Sequence, residues 1–403
     1  MDRARTLLYA AAGARSFVIG LTGVTLGLYL AARGFDPALL GGVVASGLAG
    51  NAAGVALVAA WGERLGRRRA LVGATVLSAA GLATVALVAS PPGIAIASFL
   101  GMVNGMGRDR GPAQTLEQSL LADAVDDAGR TAAFTRYSFA QDVFGALGSL
   151  AAAAPALLQG ALGLEPAAAH RATFAGAALL ALAPVALYAR LPADRTAGAH
   201  GPPAGLSPAS RRRVARLSAL IALDGLGGGF LAGSILSYWF FRRFGLGAAT
   251  LGPVFFAAKA LNAASYLGAE ALARRLGLVR TMVFTHLPTS LILLALPFVP
   301  SAGLAVAIFL AREAFVQMDV PARQSYIAAV TAPGERTAAL GITGLVRNVG
   351  WALGPGLAGG AMTALGLGAP LVAGAALKTT YDVALYLSFR GVRPPEERGA
   401  VGC

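Results

Sequence analysis

A dozen apolar runs, each about twenty residues long, follow one another along this chain, and very few folds accept that pattern. A hydrocarbon layer about 30 Å thick is crossed by roughly 20 helical residues at 1.5 Å per residue, so each run is long enough for one crossing. The runs are placed at 7–31, 38–60, 70–90, 94–121, 131–156 and 168–189, then at 214–241, 249–272, 281–299, 302–328, 338–361 and 367–389, and are numbered helix 1 to helix 12. Lipid offers no partner to a backbone N–H or C=O, which leaves helices as the spanning element. The expected fold is an all-α membrane protein with twelve transmembrane helices. Only 13% of the 403 residues are charged, against about 25% in a soluble domain. The first thirty residues lack a small-residue cleavage site after a short apolar core, so they are expected to stay in place as helix 1.

The remaining composition excludes several classes. A lone Cys403 permits no disulfide framework, and three histidines scattered at 170, 200 and 286 do not make a metal site. No cofactor is implied. The +14 charge would suit nucleic acid, but the basic residues gather in alternate loops, as a cytoplasmic-side bias requires, so nucleic acid is excluded as a partner and the lipid bilayer implied. One side holds Arg3, Arg5, Arg64, Arg67, Arg68, Arg69, Arg211, Arg212, Arg213, Arg274, Arg275, Arg280, Arg390 and Arg393; the other shows only Arg33, Arg171, Arg242 and Arg243. Both termini are therefore expected to be cytoplasmic, with the chain in the cell (inner) membrane as a multi-pass protein.

The two halves repeat each other. Gln118-Ser119 and Arg130-Thr131-Ala132-Ala133 recur as Gln324-Ser325 and Arg336-Thr337-Ala338-Ala339. Ala146-Leu147-Gly148 pairs with Ala352-Leu353-Gly354, Arg64-Leu65-Gly66 with Arg275-Leu276-Gly277, and Asn51 with Asn262. A polar stretch rich in proline and arginine, 191–213, separates the halves. The domains expected are a six-helix bundle over 1–190, a cytoplasmic linker over 191–213 and a second bundle over 214–403, pseudo-symmetric about an axis along the membrane normal.

After helix 2 the chain reads Gly62-Glu63-Arg64-Leu65-Gly66-Arg67-Arg68-Arg69, with a weaker echo at Arg274-Arg275-Leu276-Gly277 after helix 8. This resembles the loop signature of the major facilitator superfamily, Asp-Arg-x-Gly-Arg-Arg, with Glu63 at the Asp position and Ala59 where the family has a leading Gly. The resemblance implies a secondary transporter working by alternating access, with helices 1, 4, 7 and 10 around a central cavity and Glu63, Arg64, Gly66 and Arg67 in a cytoplasmic gate. It also implies a monomer. On the residues alone, Glu63 beside a helix N-terminus meets the positive end of its dipole, although an ordinary positive-inside loop would carry the same arginines. Gly341, Gly350, Gly354-Pro355 and Gly359 of helix 11 resemble the superfamily's antiporter signature, with Ala358 in place of one Gly; helix 5, its usual place, keeps only Gly145 and Gly148. Close packing of helices through small residues accounts for them equally.

Charges inside the membrane cost about 2.5–3.5 kcal/mol each on insertion scales, so each asks for a partner or a purpose. Arg15 of helix 1 has Asp224 of helix 7 as its repeat mate, in the register that pairs Tyr29 with Tyr238. Together they are candidates for a substrate site or proton-sensitive pair, or for a salt bridge that only orders the bundles. Helix 4 carries Arg108-Asp109-Arg110 before Gly111-Pro112, where a local break is expected. In helix 10, Arg312, Asp319, Arg323 and Tyr326 share one face at 3.6 residues per turn, and Asp319 and Arg323 suit an i,i+4 ion pair. Glu117 is the repeat mate of Arg323, and the two are expected to meet across the halves when the cytoplasmic side closes; snorkelling to water is the alternative for each. Lys259 of helix 8 is placed to bind an anion or counter Asp224. Asn51 and Asn262 join the candidate coupling set, and Arg136, Asp142, Arg347 and Asn348 form a secondary cavity set. Lys378 and Asp382 on helix 12 are expected as a structural i,i+4 pair, and His286 as a packed helix residue.

The function expected is proton-coupled export of a small organic solute, anionic or zwitterionic given the buried cations, with an importing symporter or facilitator as the alternative. A membrane enzyme or receptor is disfavoured, because the chain shows no Ser-His-Asp grouping, metal-ligand cluster or phosphate-binding glycine loop. The glycine-rich run at 225–229 lies inside helix 7 and reads as packing or a hinge.

Overall fold

The computed structural model describes residues 2–125, 127–191, 206–331 and 335–390; most of the linker therefore lies outside the described residues. Among these, the chain is helical throughout and contains no strand. Helices 1, 2 and 3 run over Asp2–Ala32, Pro37–Leu65 and Arg67–Leu87. Helix 4 comes in two pieces, Pro91–Leu100 and Pro112–Asp123. Helix 5 is Asp127–Ala151 continued by Ala154–Leu162, and helix 6 is Pro166–Ala181 continued by Ala183–Tyr188. Helix 7 is split into Pro208–Gly229 and Gly233–Phe244, helix 8 is Ala248–Leu276, and helix 9 is Leu278–Ala295 with a terminal 3₁₀ turn. Helix 10 is split into Ala302–Glu313 and Asp319–Ala329; helices 11 and 12 are Arg336–Leu365 and Ala369–Phe389. Among the described residues, seven of the spans (helices 1, 2, 3, 5, 6, 7 and 9) are long and apolar enough to cross a membrane on length and composition.

The interruptions have local causes. In helix 4 the break covers 101–111, opening earlier than the charged triplet at 108–110. Pro112 has no N–H for the preceding turn, and Gly107 and Met102 sit at φ 80° and 52°. Asn104 staples the loop: its Oδ1 accepts from the N–H groups of Met106 and Gly107 at 2.9 and 3.2 Å, and its Nδ2 donates to the Arg108 carbonyl at 2.6 Å. In helix 10, Pro321 cannot bond back to the carbonyl of residue 317, and the chain bridges 314–318 with i,i+3 turns. The single face proposed over 312–326 is therefore two faces on two segments.

The family-like loop is one residue long. Helix 2 ends at Leu65 and helix 3 begins at Arg67; the joining Gly66 has φ 81°, and its repeat mate Gly277, between helices 8 and 9, has the same value. A side chain at either position would be strained, which is why glycine keeps this place in both halves.

Packing groups the chain into two compact units. The first joins Met1–Gly198 with Leu231–Ala257 and Pro355–Leu367; the second joins Ala199–Phe230, Ala258–Gly354 and Gly368–Cys403. The first unit thus takes in the second segment of helix 7, which lies on helix 1: Ser237 donates to the Val24 carbonyl at 2.8 Å, and Ser234 N–H to the Gly105 carbonyl in the helix 4 break at 3.0 Å. Its core is formed by Leu8, Leu71, Leu116, Leu121, Tyr137 and Tyr188; that of the second by Leu217, Ile221, Met282, Tyr326, Tyr381 and Leu385. Large apolar side chains such as Leu57, Phe139, Leu179, Leu294 and Leu387 are exposed on the described surface, as lipid contact requires.

Glycines set close helix crossings, two of them at repeat-related positions. A β-carbon on Gly148 of helix 5 would lie 1.9 Å from the Phe17 carbonyl oxygen of helix 1, and one on Gly354 of helix 11 would lie 2.4 Å from Gly229 Cα of helix 7. Of the antiporter-like glycines, Gly350, Gly354 and Gly359 occupy such crossings, where packing explains them directly, whereas a β-carbon on Gly341 would meet open space.

Candidate functional site: two buried charge clusters

The first unit buries one cluster around Arg15 of helix 1. Its guanidinium forks onto Glu117 of helix 4, with Nη1–Oε1 at 2.8 Å and Nη2–Oε2 at 2.7 Å, while Nε reaches Asp109 Oδ2 at 2.6 Å. This is the bidentate geometry in which arginine–carboxylate pairing is strongest. Tyr137 of helix 5 donates to Glu117 Oε2 at 2.6 Å, and Tyr188 of helix 6 donates to Oε1. Gln141 donates to Asp109 at 3.1 Å. Glu117 is fully buried, and every bond that it needs is supplied within this unit. Beside the cluster lies a cavity of about 60 Å³ lined by Arg15, Asp109, Asn51, Asn104, Thr22 and Thr75, room for a few waters.

The second unit buries another cluster around Asp224 of helix 7, which is 1% exposed. Lys378 of helix 12 meets Oδ1 at 2.8 Å; Arg347 of helix 11 and Arg323 of helix 10 meet Oδ2 at 3.1 and 3.4 Å. Arg323 also pairs with Asp319 at 2.7 Å, in the i,i+4 relation. His286 of helix 9 holds both oxygens of Asp382 through Nδ1 at 2.9 and 3.0 Å. Its Nε2 lies 3.4 Å from Lys378 Nζ and 3.8 Å from Asp224 Oδ1. The Arg347 guanidinium stacks over Trp351 at 4.7 Å. The carboxylates of Asp224, Asp319 and Asp382 balance the cations of Arg323, Arg347 and Lys378, leaving His286 as the member whose charge the balance does not require.

The two clusters use the same positions. Helix 1 and helix 4 meet through Arg15 and Glu117; helix 7 and helix 10 meet through their repeat mates, Asp224 and Arg323, with the signs reversed. The asparagine pair follows suit. Asn51 and Asn262 each donate to the carbonyl four residues back, at 3.1 and 2.7 Å. Each also reaches an interrupted helix: Asn51 the Met102 carbonyl at 2.9 Å, Asn262 the Glu313 carboxylate at 2.6 Å.

Several expectations change. Lys378 does not stay on its own helix: its bond goes to Asp224, while both oxygens of Asp382 are taken by His286 Nδ1. Helix 12 therefore contributes to the cluster. His286 is likewise a member rather than a packing residue. The counter-cations of Asp224 are Lys378, Arg347 and Arg323, not Lys259, which is half-buried on helix 8. Arg347 belongs to this cluster instead of a secondary set, whereas Arg136 and Asp142 are exposed and Asn348 is half-buried. Arg312 pairs with its neighbour Glu313, away from Asp319 and Arg323. Arg15 and Asp224 each take their counter-charges within their own unit, as do Glu117 and Arg323. Arg108 and Arg110 are half-buried in the helix 4 break. In the loop, Arg67 pairs with Asp123, Arg64 is exposed, and the Glu63 side chain lies outside the described residues. Tyr137, Tyr188, Gln141 and Glu313 were not singled out from the sequence; a polar residue directly beside Arg312, and tyrosines inside apolar runs, were the available signals.

The sequence profile of the Major Facilitator Superfamily matches residues 8–317. The chain belongs to that superfamily. The fold agrees over most of the chain: a D-xylose–proton symporter superposes with a TM-score of 0.76 at 15% identity, covering 94% of this chain and 97% of that one. The nucleoside transporter NupG superposes with a TM-score of 0.73 at 16% identity, covering 96% and 98%. A stretch of 141 residues is 24% identical to an uncharacterized membrane protein of Saccharomyces cerevisiae, spanning 35% of this chain and 32% of that relative's length. This superfamily member is thus a multi-pass membrane protein with the superfamily's fold, whose setting is the lipid bilayer.

Proposed function

We propose that this superfamily member is a secondary active transporter working by alternating access, in which proton movement drives export of a small anionic or zwitterionic organic solute. In this reading two six-helix bundles, 1–190 and 214–403, are joined by a cytoplasmic linker, with both termini on the cytoplasmic side of the cell (inner) membrane and the chain acting as a monomer. The observation that carries it is the Asp224 cluster. Six charged side chains and an imidazole are gathered from five helices. A scaffold would gain as much from apolar packing, since breaking even with buried ion pairs requires near-perfect geometry. Charges held at such cost suit a site that must change partners during a cycle.

The test begins with a thermal-shift screen of small organic acids and zwitterions on the purified protein. A stabilising solute is then followed in vesicles loaded with a pH-sensitive dye. Protons moving opposite to the solute support the proposal; solute moving with protons, or without them, contradicts it.

A further inference from the structure

We infer that His286 is a proton-binding residue: a proton arriving at its Nε2 displaces the Lys378 ammonium from Asp224, and so exchanges helix 12 for helix 9 as the element tied to helix 7. As a coupling device this deepens the proton-coupled reading above and rests on it.

The geometry suits one starting state. An ammonium has three donors and no acceptor, so in this state Lys378 Nζ, 3.4 Å from His286 Nε2, donates to a ring nitrogen that carries no hydrogen. The ring hydrogen is then on Nδ1, where it donates to the Asp382 carboxylate at 2.9 Å. In this state the imidazole has one lone pair pointed at the Lys378–Asp224 contact. Histidine is also the side chain that changes charge in the neutral range.

Protonation removes that lone pair. Nε2 becomes a donor facing an ammonium, and the two now compete for Asp224 Oδ1, held by Lys378 at 2.8 Å and standing 3.8 Å from Nε2. Shortening the latter by about 1 Å completes a charge-assisted bond. Lys378 can yield because it is a point charge on a flexible four-carbon stem, whereas the ring is pinned at Nδ1 by Asp382. The proton comes from water and is held on Nε2; no other group need change its charge. The remaining groups facing this point stay in place: Tyr381 stands edge-on to the ring from helix 12, while Arg323, paired with Asp319, and Arg347 hold Asp224 Oδ2 from helices 10 and 11.

The test uses the full chain in lipid nanodiscs, labelled with ¹⁵N at its three histidines, and followed by imidazole ¹⁵N spectra as pH is lowered. His286→Gln identifies the signal. The expected result is a neutral Nδ1–H tautomer at the alkaline end that gains a hydrogen on Nε2 as pH falls. Lys378→Met removes the competing ammonium and should raise the proton affinity of His286 about tenfold or more, while Lys378→Arg leaves it close to wild type. Asp382→Asn, which needs no change in volume, should lower it. An Nε2–H tautomer at the alkaline end, no titration across the range, or an unshifted midpoint in both Lys378→Met and Asp382→Asn would overturn the inference. A parallel flux assay separates the two readings. Wild-type vesicles that move solute without protons, while His286 titrates as described, would sink the coupled-transport reading alone. His286→Gln vesicles that keep proton coupling would sink the role of His286 alone.

Discussion

The Arg15 and Asp224 clusters sit at repeat-related positions of the two units, yet they are built from different chemistry. In the first, one arginine is clamped by two carboxylates and two tyrosines, and its key carboxylate, Glu117, is fully satisfied. In the second, one aspartate is shared among a lysine and two arginines, with a histidine within 3.8 Å of the same oxygen. Duplication kept the place where the helices meet and reversed the charge that each supplies. The first arrangement is saturated and suits a fixed strut; the second offers more donors than Asp224 has good places for, which suits exchange.

The hardest way to break this comparison is to reverse it. Arg15→Asp alone places three carboxylates together and should prevent stable folding, as should Glu117→Arg alone. The pair, which copies the sign order of the second unit, should recover at least half of the lost thermal stability in detergent; no recovery would show that the two positions are not interchangeable. Next in size, Asp224→Asn leaves three cations facing too few carboxylates and should destabilise by about 3–5 kcal/mol. Glu117→Gln, whose amide oxygen still accepts from Arg15 and a tyrosine, should cost clearly less in the same unfolding assay. Equal losses would remove the distinction between strut and exchange site.

Smaller effects test the shared framework. Gly354→Ala puts a β-carbon 2.4 Å from Gly229 Cα, and its repeat-related partner Gly148→Ala puts one 1.9 Å from the Phe17 carbonyl oxygen. Each should cost about 1–3 kcal/mol by overpacking, with Gly148→Ala the larger, as read from melting temperatures. The smallest effect lies outside the spans. Hydrogen bonds from the Ser210 hydroxyl and the Ser207 backbone N–H hold the Glu335 carboxyl below its ordinary value of 4.5. A carboxyl depressed on folding stabilises the protein above its unfolded value, and that contribution is lost as pH falls through the folded value. Glu335→Gln should therefore lower the melting temperature slightly at neutral pH and not at all in strong acid; the reverse order would contradict the assignment.

Much of this architecture was legible in the sequence, because spans, turns and duplication are local or periodic signals. Apolar length located the helices; Gly66 and Gly277 stood out as a repeated loop signature, which the structure shows as one-residue turns at positive φ; Asp319 and Arg323 announced their i,i+4 pair. The breaks were half legible: Pro112 pointed to one, but the part of it held by Asn104 depends on a side chain folding back on its own loop. The clusters themselves were not legible as clusters. Lys378 and Asp382 look like an ordinary helical pair, and only the convergence of helices 7, 9 and 12 shows that one goes to Asp224 and the other to His286. Tyr137 and Tyr188 look like packing aromatics until Glu117 is placed between them.

The central claim is that the Asp224 cluster links proton movement to solute movement. Its most direct test is proton flux in dye-loaded vesicles carrying the full chain, driven by a gradient of a solute that stabilises the protein. The account predicts counter-directed proton movement with wild type and none with a folded Asp224→Asn variant; proton movement at the wild-type rate in that variant would contradict it.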